Sequence, residues 1–482
     1  MKSKDYLIII CIVLLNFIIK GIFLSSTSIG GDEPFSIYHA QMDVASIIKH
    51  LTAGNNPPGY ELFLHFWIKL FGISEFSVRF PSLVFSCIAV FFIYKIGNSF
   101  FNRKVAIIAG VLFIFSNYQI IYAHEARVYS LFGMLTAMSM YYYMKIIIND
   151  SKKRTDRIGF LATNIIMIYC HYFGFFVLLI QFIYLIFNRK LLLKYWKQLL
   201  IATGIIILFY IPNLIIFFTR FFDSASGGTW VSKPSGPNDL YNMLVRFSNK
   251  PVVAVSVILV FLTAFIKYII KDKFKGMTNS SKLIVLWFIF PFLFMFLISY
   301  YVPMFLDRYL MFVTIGYYLA VAIASDYLIS KKYYSLIIPG IICILFIATS
   351  NPDITNKRNV EETVDKINEL KTNNTLVIIC PDHFVLNYSY YHDIDIFKIV
   401  DTEDIYRSAS SALKKSDIYG IKNINEIDYS KWDHIVYLDA AASFSHPDNN
   451  IVNTLDEKYN LDSYHEIYEI FKVYEYSSKQ RE

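Results

Sequence analysis

Residues 6–24 read YLIIICIVLLNFIIKGIFL, an almost unbroken apolar run that begins shortly after Lys4. The run is long enough to cross a bilayer, which takes about 17–25 mostly apolar residues. It is long for a signal peptide and lacks a small-residue cleavage site before the next segment, so we expect a retained first span. The 482-residue chain is 55% hydrophobic and 17% charged, with a mean hydropathy of +0.44. These values indicate a polytopic membrane protein rather than a soluble domain.

Further apolar runs predict about eleven α-helical spans by the same length criterion. Two of the runs are short and meet at Cys170-His171-Tyr172, and we interpret them as a helical hairpin, with one long tilted helix as the alternative. The candidate spans are 6–24, 81–98, 105–122, 129–148, 158–170, 173–187, 199–217, 251–270, 283–300, 310–328 and 335–350.

Basic residues lie before the first span and then in every second loop, which predicts that these segments face the cytoplasm. The alternation supports the hairpin, because a single helix over 158–187 would break it. The net charge of +7 is explained by these loops and anionic lipid headgroups, so we expect no nucleic-acid partner. The basic segments are Lys2 with Lys4, Arg103-Lys104, Lys152–Arg154, Arg189-Lys190, Lys271–Lys275 and Lys331-Lys332.

The composition changes near residue 351, which divides the chain into a membrane domain, 1–350, and a tail, 351–482. In the tail, helical and strand-like segments alternate, which predicts a small α/β domain on the outer surface. We predict helices over 360–370 and 449–459, and strands over 376–380, 397–400, 435–438 and 467–474.

The first outer loop contains an acidic pair, Asp32-Glu33, within Gly30-Gly31-Asp32-Glu33-Pro34. Neighbouring side chains diverge, so the pair could hardly flank one bond from two sides as the carboxylates of a glycosidase do. One carboxylate can act as a base while the other orients it, holds a substrate group or binds a metal. A solvated loop is the plain alternative.

The same loop continues with Asn55-Asn56-Pro57-Pro58-Gly59-Tyr60 and an apolar helix over 62–71. Two prolines restrict the backbone and Gly59 permits a tight turn, so Asn56, Pro57, Pro58 and Tyr60 are candidates for shaping the loop or contacting the acceptor. The amphipathic helix is expected to lie in the membrane interface, or to be a re-entrant packing element.

Two other outward turns carry cations. His124, Glu125, Arg127 and Tyr129 follow span three, and Arg308 with Tyr309 follow span nine. A fixed guanidinium can grip phosphate oxygens bidentately, although Glu125 and Arg127 could merely pair and Arg308 could simply anchor the interface. Other candidates on the outer rim are His171, Tyr172, Trp230 and Lys233.

A carboxylate pair and separate cations, all facing outward and toward lipid, suit a sugar carried on a polyprenyl phosphate. The phosphate is already a good leaving group, so the reaction needs a base for the acceptor hydroxyl and cations for the departing phosphate. Direct displacement by the acceptor predicts inversion at the anomeric carbon. The sequence assigns no certain cofactor, and it leaves open whether Glu33 and Glu125 hold a divalent metal or only form hydrogen bonds.

The order of these motifs resembles the family 39 type of GT-C glycosyltransferases, which includes protein O-mannosyltransferases and lipid A aminoarabinose transferases. The resemblance covers about residues 1–350 and lies with the bacterial branch, which implies a bacterial inner membrane location with the tail extracytoplasmic. It also implies Asp32 as catalytic base, Glu125 as the second acidic position, and Arg127 and Arg308 at the donor phosphate. Many relatives have His where this chain has Asn56. The matching segments are GDE at 31–33, NPPGY at 56–60, FGISEFSVRFPS at 71–82, HEARVYSL at 124–131, HYFG at 171–174, WVSKPS at 230–235 and 303–309.

The expected function is therefore an inverting transferase that moves a sugar from a polyprenyl-phosphate donor to lipid A, an envelope glycan or a protein. A transporter or flippase of lipid-linked sugars is one alternative, but it should carry polar residues at mid-membrane depth, where these spans have few. A polymerase of lipid-linked repeats is another, and would show a large arginine-rich outer loop. A membrane anchor for a catalytic tail is the third, although the tail lacks a glycine-rich phosphate loop.

Overall fold

A computed structural model describes residues 3–54, 56–227, 231–271, 273, 276–329, 334–354, 359–468 and 470–479. The chain folds into two compact units. The membrane unit comprises Met1–Leu24, Leu51–Tyr60 and Arg79–Ile354. The tail unit comprises Ser25–His50, Glu61–Val78 and Thr355–Glu482, so it contains most of the first outer loop as well as the tail.

Every apolar run identified in the sequence is helical within the described ranges. The helices up to residue 354 are α1 (Ser3–Gly21), α2 (Glu33–Gln41), α3 (Val44–Ala53), α4 (Gly59–Phe71), α5 (Glu75–Phe100), α6 (Arg103–Ile114), α7 (Asn117–Ala123), α8 (Tyr129–Ile147), α9 (Arg154–Cys170), α10 (Gly174–Phe187), α11 (Arg189–Gly227), α12 (Asn238–Phe247), α13 (Pro251–Ile270), α14 (Asn279–Ile298), α15 (Met311–Leu328) and α16 (Ile337–Thr349).

Five helices in the described part of the chain are long and apolar enough to cross a membrane, and six if α6 and α7, bent by 62°, form one span. These are Glu75–Phe100, Arg189–Arg220, Pro251–Ile270, Asn279–Ile298 and Asp307–Leu328. The expected number of about eleven spans is not confirmed by this criterion. Several other apolar helices, such as α10 and α16, are shorter than a full crossing.

The segment 158–187 is a hairpin, as predicted, because α9 ends at Cys170 and α10 begins at Gly174. Ser139 Oγ donates to Asn164 Oδ1 of α9 (2.8 Å) and accepts from Gln181 Nε2 of α10 (2.8 Å). In one continuous helix, residues 164 and 181 would lie about 25 Å apart at 1.5 Å per residue. One serine can bridge them only if the two helices run side by side.

The core of the membrane unit forms around α15, which packs against α6, α8, α13 and α14. Its small residue Gly316 lies against the Trp287 ring of α14, and Trp287 Nε1 donates to Phe312 O (2.7 Å). Ser116 and Tyr318 join α15 to the α6–α7 break by a hydrogen bond of 2.7 Å. Small residues and interhelical polar contacts of this kind are the usual means of packing helices in lipid.

Helix α4, which belongs to the tail unit from Glu61 onward, has one buried face and one exposed apolar face. Tyr60, Leu64 and Ile68 are buried, whereas Phe63, Phe66 and Leu70 are exposed at helical spacing on the other side. A continuous exposed apolar face is unusual on a water-facing helix and is typical of contact with lipid.

The tail forms a mixed five-stranded sheet of order β2-β1-β3-β5-β4. Strand β1 pairs in parallel with β2 and β3, and β5 pairs antiparallel with β3 and β4. Leu376, Ile378, Ile435 and Tyr437 on adjacent strands form its core with Leu455. The elements are α17 (Val360–Leu370), β1 (Thr375–Cys380), α18 (Val385–His392), α19 (Ile394–Phe397), α20 (Arg407–Lys414), β2 (Ile418–Gly420), β3 (His434–Ala440), α21 (Ala442–Ser445), α22 (Ile451–Lys458), β4 (Tyr459–Tyr468) and β5 (Phe471–Ser478).

Most expected elements of the tail are present, and two expected strands are wrong. Residues 397–400 are not a strand, because Asp393 caps the short helix α19 through Asp395 N (2.9 Å). Residues 467–474 are not one strand but contain the junction of β4 and β5. The sequence did not indicate most of β4, because its largely exposed residues carry little apolar signal.

Candidate active site

The acidic pair of the first outer loop lies on a glycine turn at the start of α2. Gly31 has φ +59°, a conformation that favours glycine. Glu33 is buried, and its carboxylate accepts a hydrogen bond from Gly30 N (3.2 Å). Asp32 is exposed and its side chain does not cap α2. The two residues therefore differ in burial: Glu33 is buried and bonded within its own loop, and Asp32 is exposed.

This turn is held by helix α18 of the tail unit. Tyr391 Oη accepts from Ile29 N (2.5 Å) and donates to the Glu75 carboxylate, and Asn387 Nδ2 donates to Gly31 O (3.4 Å). Burial and the bond to Glu75 raise the pKa of the Tyr391 phenol, so it stays a neutral donor. The backbone on either side of Asp32 is thus fixed by side chains more than 350 residues away in sequence.

The charge of Asp32 affects the pKa values of His383 and Tyr406 in the tail unit. Partial burial lowers the pKa of His383, while the carboxylates of Asp382 and then Asp32 oppose that shift. Burial, with Asp382 and Asp32, raises the pKa of Tyr406. These residues were not among the candidates, because the sequence offers no signal that the first outer loop meets the tail.

The proline turn belongs to the membrane unit and is closely packed. Pro57, Pro58 and Tyr60 are buried and Asn56 is half-buried. A Cβ on Gly59 would lie 2.6 Å from Tyr169 O and 2.9 Å from Cys170 Sγ, at the end of α9. The turn is therefore shaped, as the two prolines indicated, and only glycine fits at its tip.

The segment after α7 is anchored by its neighbours. His124 is buried and its Nε2 lies 2.7 Å from Lys20 O of α1, which it contacts as a donor. Ser82 Oγ donates to Glu125 O (2.6 Å), while the Glu125 residue itself is half-buried. Because its ring nitrogen bonds a main-chain carbonyl, His124 holds the segment in place.

A chain of aromatic contacts connects Arg127 to Tyr309. The buried Arg127 guanidinium lies 6.0 Å from the Tyr129 ring, whose centroid is 6.3 Å from that of His171. His171 is in turn 6.3 Å from Tyr309. The structure thus brings together four candidates, Arg127, Tyr129, His171 and Tyr309. The first and last of them are 182 positions apart in the sequence.

His171 sits at the break of the α9–α10 hairpin. Its ring stacks on Phe132 at 4.5 Å, and its Nδ1 accepts from Phe173 N (3.2 Å). An accepting Nδ1 leaves the proton of the neutral ring on Nε2. The ring is positioned by stacking and by its own loop.

The turn before α15 is held by residues that the sequence did not single out. Tyr118 Oη donates to Asp307 O (2.6 Å), and Arg246 of α12 forms an ion pair with the Asp307 carboxylate. Asp307 Oδ1 also accepts from Arg308 N (2.8 Å), and Arg308 is half-buried. Arg246 therefore neutralises Asp307 beside the candidate phosphate-binding Arg308.

The remaining candidates lie elsewhere. Tyr172 packs on Phe217 of α11 (5.7 Å between centroids) rather than on the Tyr129–His171–Tyr309 chain. Lys233 is exposed on the segment before α12. Trp230 lies outside the described residues. Within the described ranges, no group of three or more His, Cys, Asp or Glu side chains is arranged to hold a metal ion.

Lys20 is the charged residue within the apolar run 6–24. It is fully buried in α1, where its Nζ donates to Ser86 Oγ (3.0 Å) and Phe113 O (3.3 Å) and lies 4.0 Å from the Phe113 ring. These contacts connect α1 to α5 and α6, and the same residue's carbonyl holds His124. The isolated lysine of an apolar run thus has a packing role.

Comparisons with known proteins give one family match and several structural matches. Residues 55–216 match the family described as dolichyl-phosphate-mannose-protein mannosyltransferase. A search of curated protein sequences finds no significant match.

Among solved structures, the fold is similar to that of ArnT from Cupriavidus metallidurans bound to undecaprenyl phosphate. That match has a TM-score of 0.60 at 10% identity and covers 98% of each chain. The apo state of ArnT gives a TM-score of 0.61 at 9% identity, also over 98% of each chain. The oligosaccharyltransferase AglB from Archaeoglobus fulgidus, in complex with an inhibitory peptide and a dolichol-phosphate, gives 0.51 at 11% identity over 100% of this chain and 75% of that one.

The apolar helices and these likenesses define the class of the protein: a multi-pass membrane protein with the GT-C glycosyltransferase fold and a small C-terminal sheet domain. Within that class, the family match and the structural matches are of the protein O-mannosyltransferase and ArnT type. The predicted fold class and family resemblance are confirmed.

Proposed function

We propose that this chain is an inverting glycosyltransferase that moves a sugar from a polyprenyl-phosphate donor to an acceptor hydroxyl on the outer face of a bacterial inner membrane. Its N-terminus is cytoplasmic and its tail extracytoplasmic, as the alternation of basic loops supports. Residues 1–350 supply the catalytic groups, and 351–482 form the extracytoplasmic domain. The acceptor is lipid A, an envelope glycan or a protein.

The observation that carries this proposal is the difference between the two carboxylates of the acidic pair. Asp32 is exposed on a turn fixed by Asn387 and Tyr391, and Glu33 is buried against Gly30 N. A general base must be accessible to the acceptor and must be held in place, and the exposure of Asp32 on a hydrogen-bonded turn supports this role. Glu33 has a supporting role, since its hydrogen bond stabilises the turn.

In the proposed reaction, the Asp32 carboxylate removes the proton of the acceptor hydroxyl as that oxygen attacks the anomeric carbon. The bond from this carbon to the phosphate oxygen breaks, and polyprenyl phosphate leaves with the electron pair. By the sequence resemblance, Arg127 and Arg308 stabilise the charge that develops on the phosphate, because guanidinium groups bind phosphate oxygens bidentately. Attack opposite the leaving group inverts the anomeric centre.

A matched pair of variants at the acidic pair tests the proposal. Asp32→Asn is nearly isosteric and removes the base, so we expect transfer to fall by about 100- to 10,000-fold, the usual worth of general base catalysis. Glu33→Ala removes the acceptor of the Gly30 N–H bond, so we expect a loss of about 1–3 kcal/mol in stability. Transfer is measured with a radiolabelled polyprenyl-phosphate sugar and membrane extracts, and stability as the thermal unfolding midpoint.

The two variants give separable outcomes. We expect Asp32→Asn to have the unfolding midpoint of the wild type and to lose sugar-transfer activity. Full transfer by Asp32→Asn would exclude Asp32 as the base. An unfolding midpoint that drops in Asp32→Asn and not in Glu33→Ala would reverse the assigned roles.

A further inference from the structure

A polar cluster lies in the tail unit at the carboxyl ends of its three parallel strands. Asp382 and His383 follow β1, Lys422 follows β2, and His446 follows β3. The chain leaves β1 toward β2 and leaves β3 in the opposite direction, toward β4. Such a topological switch point is where open α/β sheets bind ligands.

Three side chains of this cluster approach the Asp382 carboxylate, but none is close enough for a direct hydrogen bond. The Asp382 carboxylate lies 3.6 Å from His446 Nε2, 3.7 Å from Lys422 Nζ and 3.9 Å from His383 Nδ1. All three distances are longer than a direct hydrogen bond. His446 Nε2 is buried and has no hydrogen-bond partner among the described residues. The polar atoms therefore retain hydrogen-bonding capacity for a ligand.

Two aromatic residues accompany the cluster. The Tyr406 ring lies 6.4 Å from that of His383, and Phe444, which precedes His446 by two residues in the chain, is 79% exposed. A ring face together with carboxylate, imidazole and amine groups offers stacking and several hydrogen bonds to one ligand.

The charge of the cluster argues against a phosphate or carboxylate ligand. Asp382 and Lys422 cancel, partial burial lowers the pKa of His383, and the nearby Asp32 adds negative charge. The turn after β1 reads PDHF at 381–384 and has no glycines to cradle a phosphate. A neutral, hydroxyl-rich ligand fits these groups, because each can donate to or accept from a hydroxyl.

The cluster is also tied to the loop of the proposed base. Asn387, one helical turn after His383, donates to Gly31 O (3.4 Å), and Gly31 precedes Asp32. We propose that the carboxyl edge of the tail sheet, formed by Asp382, His383, Lys422, Tyr406, Phe444 and His446, binds the sugar hydroxyls of a neutral glycan acceptor. This inference rests on the proposed transferase function and narrows its acceptor to a carbohydrate.

Ligand-observed NMR with the full-length protein in detergent micelles tests this site without any donor. The probes are a panel of neutral methyl hexosides and oligomers of them, each compared with its 6-phosphate. Asp382→Asn combined with His446→Gln should weaken binding of the neutral probe by about tenfold or more, as expected when charged hydrogen bonds are removed. The exposed Phe444→Ala should also weaken it, and gives a second variant with little risk to folding.

Asp428→Asn is the matched control, because it breaks an exposed pair with Lys431 (2.9 Å) just before β3, at the opposite edge of the sheet. It should bind like the wild type. Stronger binding of the phosphorylated probe, no binding of any probe by the wild type, or unchanged binding by the double variant would overturn the proposal. Asp32→Asn should retain binding, so loss of transfer in that variant and loss of this site are distinguishable.

Discussion

Asp32 and Glu33 are neighbours in sequence with different surroundings. Their adjacency argues against a two-sided hydrolase arrangement, but it does not indicate which of the two residues is exposed. The exposed side chain of Asp32 and the buried, hydrogen-bonded carboxylate of Glu33 make that distinction. At the residue scale, the same sequence motif therefore contains one candidate reacting group and one structural group.

His383 gives the protein a pH dependence of known sign. Its pKa is lowered from the ordinary value of 6.5 by partial burial, although Asp382 and Asp32 oppose the shift and His446 adds to it. The unfolded chain therefore binds a proton more readily, and stability falls as pH drops from about 6.5 through the lower folded pKa. We expect the unfolding midpoint to fall less between pH 7.5 and 5.5 in His383→Gln than in the wild type.

Thermal unfolding of both proteins at the two pH values checks this expectation. His465→Gln is a suitable control, because it removes an imidazole from the edge strand β4, three strands away from β1, and leaves His383 and its surroundings in place. An equal drop in His383→Gln and the wild type would contradict the assigned cause.

At the element scale, the close approach of the proline turn to α9 shows how local and tertiary constraints combine. The two prolines restrict the turn, and the end of α9 leaves no space for a side chain at Gly59. The break between α9 and α10 places that helix end where the turn can reach it. Sequence indicated both the turn and the break, but not their contact.

Gly59→Ala should therefore destabilise the protein by about 1–3 kcal/mol, because the added Cβ meets the main-chain oxygen of Tyr169, which cannot rotate away. Gly204→Ala is the matched control, since nothing lies within 4 Å of its Cβ on α11. That change should leave stability equal or raise it by about 0.5–1 kcal/mol through helix propensity. The two variants are compared by their unfolding midpoints in detergent. Equal midpoints would show that the proline turn can shift to accommodate the added Cβ, and would contradict the prediction.

At the scale of the whole molecule, the compact units do not follow the order of the sequence. Residues 25–50 and 61–78 of the first outer loop fold with the tail, although the composition changes only near residue 351. The composition of a segment indicates whether it is surrounded by lipid or by water. It does not indicate which other segments it packs against. The tail unit therefore contains the proposed base as well as the sheet.

The proposed sidedness predicts which surfaces a membrane-impermeant thiol reagent can reach. In a variant whose native cysteines are replaced by serine, Lys233→Cys should react in intact cells, because the proposed topology places 218–250 on the outer side. Lys152→Cys should react only after permeabilisation, since basic loops stay in the cytoplasm. Both lysines are exposed, so access depends on the side of the membrane. Reaction of Lys152→Cys alone in intact cells would invert the topology.

The sequence by itself determined the apolar helices, the hairpin at Cys170, the core strands β1 and β3, and the fold class, because each depends on local hydrophobicity and periodicity. Only the tertiary structure decided that Tyr391 and Asn387 hold the Asp32 turn, that Arg246 neutralises Asp307, and that Arg127 connects to Tyr309 through Tyr129 and His171. These contacts join residues far apart in the chain, and no local pattern encodes them. The exposed edge strand β4 was missed for the complementary reason, since it buries too little apolar surface to leave a signal.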